Sequence, residues 1–319
     1  MARHDVSWGI PRARLLLVLL VSPICPDVVD GRPNIAAPSE GWADTLISQP
    51  ARALRARTLK VGDTLTIKVR DGSQIVGRLV GETADQLTLT TSYGEVRIAR
   101  AEIAEWARIE PEDIREGGYW FPDPNRTRSF VFPTASTLRQ GAGLYENYYL
   151  FFNSVHFGVT DRAMLSGGIV PLPGAMILAF GPKLRIYQHP TKMVEAAVGA
   201  QWYLLSGDSD SETLFVPYGV LSLGRSDRSR LSVGGGSIRA EEEDLSLLTV
   251  SADLRLSKRV KLMGEVFSVR GDDESEVIPI YGLRFFSERL AFDLGFWNFP
   301  GEEDLLALGT PMANFVFGF

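Results

Sequence analysis

Ser154 and His156 stand two residues apart, and a strand would turn both side chains to one face. A hydroxyl beside an imidazole is the minimum for nucleophilic catalysis, with the ring as base. No third residue can be assigned to orient the ring, so the pair falls short of a hydrolytic site and no catalytic residue is assigned. His189 lies beside Pro190 in a turn and reads as solvated. Cys25 is the only cysteine, and no Cys or His cluster has metal-ligand spacing, so neither a metal nor a cofactor is expected. Gly234-Gly-Gly236 lacks the helix that a phosphate loop needs and is expected to mark a bend or close packing within a strand.

Charge offers more. Glu146, Glu195, Asp253, Glu265 and Asp293 share strand-like stretches with Lys183, Arg185, Arg255, Lys261 and Arg284, five acids against five bases. A wide ion-selective pore favours one sign at its constriction. A balanced set points instead to ion pairs within a narrow interior, because unpaired buried charge is costly. A polar conduit for a small solute is the functional counterpart.

These charges need elements that alternate faces. In Leu248–Leu256 the even positions are Leu248, Val250, Ala252, Leu254 and Leu256, and the odd ones Thr249, Ser251, Asp253 and Arg255. Val194–Leu204 and Phe180–Ile186 sort in the same way. Twelve such stretches follow one another, beginning with 129–136 and 144–158 and ending with 311–319. Tight turns at 160–162, 188–191, 225–229, 257–259 and 287–289 alternate with acidic connections at 207–212, 240–244, 271–276 and 300–304. The acidic connections could gather divalent cations that bridge lipopolysaccharide phosphates. No run of 18 apolar residues occurs, which excludes a transmembrane helix but not a transmembrane barrel.

The chain closes on Phe315, Phe317 and Phe319, three rings on one face of a strand. This ending resembles the last strand of bacterial outer-membrane β-barrels. The resemblance implies that the terminal aromatics are an assembly signal read by the barrel-assembly machinery, with outer-membrane lipid and lipopolysaccharide as surroundings. An even strand count would put both ends of the barrel on the periplasmic side, with the tight turns. Arg3, Arg12 and Arg14 before the apolar run Leu15–Val21 read as a secretory signal over 1–31.

The segment 58–110 reads as five short strands with turn signals at Asp71-Gly72 and Tyr93-Gly94. Its Asp-Gly, Gly-Arg-Leu and Asp-x-Leu-x-Leu pattern resembles the SH3-like and Sm-like small barrels, and Gly77 would let the second strand bend. Sm-like relatives often bind RNA. A net charge of −6 and no dense basic patch argue against nucleic acid here, and a docking module for a periplasmic protein partner is expected. Residues 32–57 read as a linker with a short helical piece near 42–56. Residues 111–128, rich in aromatics and proline, read as a connection that either plugs the barrel mouth or anchors it at the membrane interface.

The expectation is therefore all-β: a small SH3-like or Sm-like barrel at 58–110 and a twelve-stranded antiparallel transmembrane barrel at 129–319, in the outer membrane of a Gram-negative-type bacterium. Its role would be a narrow channel or a structural barrel with a periplasmic docking domain. Two alternatives stand beside it. Ser154 and His156 faintly resemble the Ser and His pair of outer-membrane phospholipases, although the order here is Ser-x-His. A soluble periplasmic β-sandwich would also alternate.

Overall fold

The computed structural model describes residues 59–109, 113–115, 118–149, 151–172, 175–207, 211–240, 244–271, 275–299 and 309–319. The expected signal and linker, and most of the acidic connections, lie outside these residues. The chain divides into two compact units at Pro122 and Asp123.

The first unit carries β1 (Thr64–Val69), β2 (Gln74–Glu82), β3 (Gln86–Thr91), β4 (Gly94–Ala99) and β5 (Ile103–Arg108), with a 3-10 turn at Arg100–Glu102. The sheet order is β4-β3-β2-β1-β5, all antiparallel. Alternating apolar positions place Leu65, Ile67, Leu79, Leu87, Leu89 and Ile98 in its core. A Cβ at Gly77 would lie 2.8 Å from the Thr90 carbonyl oxygen, so only glycine permits this approach of β2 to β3. A two-stranded ribbon follows, β6 (Ile114–Arg115) and β7 (Gly118–Tyr119).

The second unit is a closed antiparallel barrel of twelve strands. They are β8 (Gly143–Tyr148), β9 (Phe152–Gly158), β10 (Ala163–Leu172), β11 (Ala175–Gln188), β12 (Val194–Gly207), β13 (Ser211–Gly224), β14 (Ser229–Arg239), β15 (Asp244–Arg255), β16 (Val260–Arg270), β17 (Ser275–Phe286), β18 (Leu290–Trp297) and β19 (Thr310–Gly318). β19 closes on β8, and the seam ends in paired bonds: the Gly143 amide donates to the Phe319 carbonyl at 2.8 Å and the Phe319 amide to the Gly143 carbonyl at 3.0 Å. Phe315, Phe317 and Phe319 all point outward.

Two features of the expected barrel are corrected. Residues 129–136 form no barrel strand. Phe130 and Phe132 alternate as a strand would, but Ser129, Thr134, Ala135 and Ser136 are buried as well. Their one ladder contact is an isolated bridge between Arg128 and Pro133, and proline has no amide to extend it. The stretch 144–158 is two strands, β8 and β9, which turn at Tyr149, where φ is 52°. The two changes offset each other, so the count stays at twelve and every strand from β10 onward keeps its direction.

Outward positions are apolar along every long strand: Leu184 and Ile186 on β11, Leu221 and Leu223 on β13, Leu248 and Val250 on β15, Phe292 and Leu294 on β18 are all exposed. A continuous exposed belt of this size is untenable in water. Around a closed barrel, in which each strand pairs with both its neighbours, it is a lipid-facing surface. Among the described residues no helix is long and apolar enough to cross a membrane. The protein is thus a transmembrane β-barrel of the outer-membrane type.

Candidate functional site: a lumen filled by residues 123–138

The barrel interior is occupied by its own chain. Residues 123–138 rise from the end of the barrel that carries the tight turns and fold back to it. The fold-back is tied by Ser129 N–H to the Phe132 carbonyl (3.0 Å) and Thr134 N–H to the Thr127 carbonyl (3.0 Å). Thr137 Oγ1 donates to the Asp161 carbonyl (2.9 Å) in the β9–β10 turn, which fixes the base of this stopper at the turn end.

The lumen has two halves. Towards the turns, most of the charged inward side chains gather, among a few apolar ones such as Met164, Met263 and Phe286. Towards the opposite mouth the inward side chains are apolar: Tyr218, Ile238, Leu247, Phe267, Ile278 and Trp297 form a buried cluster that also takes in Phe130 and Phe132 from the stopper tip. A predominantly polar inward face, as the alternation suggested, is therefore found only in the turn half. Tyr218, Phe286 and Trp297 are buried inside as well.

Gly234 is the seat of the tip. A Cβ there would lie 2.4 Å from Phe132 Cε1 and 3.1 Å from Thr249 Cγ2. The glycine run on β14 thus provides the close packing expected of it. Gly234→Leu is expected to displace Phe132 and to cost about 1–3 kcal/mol by overpacking. The urea midpoint for loss of the heat-modifiable form should fall, whereas Gly219→Leu, where a Cβ meets nothing within 4 Å, should leave it unchanged.

The ten charges singled out from sequence can now be placed. Arg284 grips Asp293 with two bonds (2.6 and 2.8 Å). It also reaches the stopper at Asp123 Oδ2 (3.1 Å), the Asn125 carbonyl (2.8 Å) and the Ser129 carbonyl (2.7 Å). Lys261 bridges Asp123 (2.9 Å) and Asp253 (3.2 Å). Lys183 Nζ donates to the carbonyls of Thr127 (2.9 Å) and Thr134 (3.3 Å). Glu195 accepts from Ser136 Oγ (2.7 Å) in the stopper and from Arg185 (3.2 Å) on the wall. Arg255 instead braces turns, donating to the carbonyls of Ser257 (3.1 Å) and Lys258 (2.7 Å).

Glu265 stands between the two halves. Its carboxylate accepts three consecutive backbone N–H groups of the stopper tip: Phe130 (2.8 Å), Val131 (2.9 Å) and Phe132 (2.8 Å). Glu146 binds Arg128 (2.9 Å) and Asn314 Nδ2 (2.9 Å). Arg128 also donates to Tyr148 Oη (3.0 Å), whose hydroxyl donates to the Phe130 carbonyl.

Sequence reasoning paired the wall charges with one another and missed their partners in the stopper, Asp123 and Arg128. It also missed Arg230, which binds Asp253 (3.0 Å) and the Arg126 carbonyl (2.8 Å). The signal for Arg230 was available, since it is in phase with Ser232, which also points inward. Asp123, Arg126 and Arg128 lie in an irregular segment with no periodicity to give their direction.

Ser154 and His156 do meet, at 3.1 Å, and Glu146 lies 3.2 Å from the same imidazole. Both contacts fall on Nε2. A relay needs the nucleophile on one ring nitrogen and the orienting carboxylate on the other. Here the two partners compete for one nitrogen, and the carboxylate is already held by Arg128. The cluster tethers the stopper rather than activating Ser154. Among the described residues no group of His, Cys, Asp and Glu could hold a metal ion.

No family model matches the chain, and no curated protein matches it. Among solved structures it is similar to the KdgM porin, with 12% identity and a TM-score of 0.39 over 56% of this chain and 95% of that one. The NanC porin gives 7% identity and a TM-score of 0.39 over 56% and 96%. Pseudomonas aeruginosa OccK11 gives 12% identity and a TM-score of 0.32 over 80% and 93%.

Proposed function

We propose that the protein is an outer-membrane passage for a small polar solute that rests shut, with residues 123–138 as its stopper. One observation carries this reading. A barrel that served only as a solid wall could fill its interior with side chains of its own strands. Here the turn half is lined by polar groups, and a separate hairpin fills it through hydrogen bonds and ion pairs. Such contacts can be exchanged for water or solute one at a time, unlike an interdigitated apolar core.

Planar-bilayer recording tests this. The wild type is expected to open rarely, and Arg128→Ala, which removes the stopper's ion pair with Glu146, to open often. Silence from both would leave a purely structural barrel.

The turn end, with both ends of the barrel, would face the periplasm, and the acidic connections would face outward. The first unit would then be periplasmic. Its sheet order, its 3-10 turn before β5 and the Gly77 approach support an SH3-like or Sm-like small barrel. We assign it the docking of a periplasmic protein. The barrel-assembly machinery, reading Phe315, Phe317 and Phe319, and lipopolysaccharide around the belt complete the proposed partners.

A further inference from the structure

We propose that the lumen is a binding site for a folded-back peptide carrying an acidic and a basic side chain, and that residues 123–138 are its tethered occupant. The inference rests on the reading that the stopper can leave.

The wall addresses backbone more than side chain. Glu265 collects three successive amide N–H groups, and Ser222 Oγ accepts a fourth from Ala135 (3.0 Å). Lys183, Arg230 and Arg284 donate to the carbonyls of Thr127, Thr134, Arg126, Asn125 and Ser129. Amides and carbonyls are common to every peptide, so these contacts supply affinity with little demand on sequence.

Charge supplies the selection. Around Asp123 the wall presents three cations, Lys261, Arg284 and Arg230, against two carboxylates, Asp253 and Asp293. The surplus positive charge is met by Asp123 alone. At Glu146 the sign reverses: no Lys or Arg of the wall pairs with this carboxylate among the described residues, Asn314 and His156 lie beside it, and its cation, Arg128, comes from the stopper. An emptied lumen would hold a buried cationic subsite and a buried anionic one, spaced as residues five apart in an irregular chain. Each is costly when unpaired. The apolar half beyond Glu265, where Phe130 and Phe132 lie, takes an aromatic residue. A peptide with an acid, a base and a following aromatic satisfies all three. A simple carboxylate would satisfy only the first.

The test uses the full chain in detergent and a fluorescent synthetic peptide with the sequence of 122–138. In an Asp123→Ala, Arg128→Ala variant the tethered segment loses both charged anchors while the wall stays intact. Fluorescence anisotropy should show the peptide binding this variant about tenfold or more tighter than the wild type, whose own segment competes. A peptide of the same composition in scrambled order should bind the variant about tenfold more weakly. Equal binding of matched and scrambled peptides, or of variant and wild type, would overturn the proposal. If the double variant does not give a heat-modifiable barrel, Arg128→Ala alone, which also leaves the wall unchanged, takes its place under the same comparisons. The anisotropy readout needs no conductance. Peptide binding by a silent barrel would sink the passage and keep the site, and a conducting barrel that ignores the peptide would do the reverse.

Discussion

Arg284→Met should leave little recoverable folded barrel. Arg284 is fully enclosed and joins the wall to the stopper through five bonds: two to Asp293, one to Asp123 and two to stopper carbonyls. Methionine fills much of the same volume but donates nothing. Asp293 would retain only Asn314 Nδ2 at 3.2 Å, and Asp123 only the Asn125 N–H (2.9 Å) and Lys261, which already serves Asp253. Breaking a buried pair by removing one partner costs about 3–5 kcal/mol, because the other charge stays buried. That is a large share of the stability of most domains. Lysine at this position restores the charge but not the fork that spans Asp293 and the carbonyls, so Arg284→Lys should recover only part of the loss. Adding Asp293→Asn to Arg284→Met removes the worst orphan and should raise the urea midpoint for loss of heat-modifiability above that of the single variant. A single variant as stable as the wild type would show that the Arg284 network contributes nothing to stability.

Much of the barrel could be read from the sequence, and the reason is geometric. A transmembrane strand has one face in lipid, so period two is enforced over long stretches such as Leu248–Leu256, where even positions are exposed and odd ones buried. The stopper escaped for the same reason in reverse. Phe130-Val-Phe132 imitates that alternation, yet the segment is surrounded by wall on every side and has no lipid face to enforce a period. The loop half of the lumen was also opaque. There both faces of a strand are apolar, as in Ile278 and Ile280 pointing inward beside Val277 and Tyr281 pointing outward, and alternation of polarity disappears. The wall charges were found because charge is rare on such strands. Their partners were not, because Asp123 and Arg128 are placed by tertiary contacts alone. The short hairpin of β8 and β9 was fused into one strand because its turn, Tyr149 to Phe151, is aromatic and lacks glycine or proline.

Glu265→Gln should free the stopper tip while leaving the barrel wall standing. Three amides converge on one carboxylate, and each is a charge-assisted bond with no alternative acceptor once water is excluded. Glutamine has the same shape but only one acceptor oxygen, and its NH2 would face at least one of the donors. Hydrogen bonds to charged groups contribute about 1.5–3 kcal/mol each, so the loss at the tip amounts to at least about 3 kcal/mol. The wall loses less, because Glu265 has no partner among the strands in these contacts and Arg284, Lys261 and Arg230 keep their pairs. Trypsin separates the two effects. The bond after Arg128 is shielded while the stopper is seated, and its cleavage follows the population of the released form. A shift of about 3 kcal/mol raises that population about a hundredfold. The variant should be cut after Arg126 and Arg128 about a hundredfold faster than the wild type, with the heat-modifiable mobility of the barrel retained. Equal cleavage rates would mean that Glu265 caps the turn without holding it in the lumen. The tip would then be kept in place by Phe130 and Phe132 in the apolar half, and the passage would have to open by some other movement.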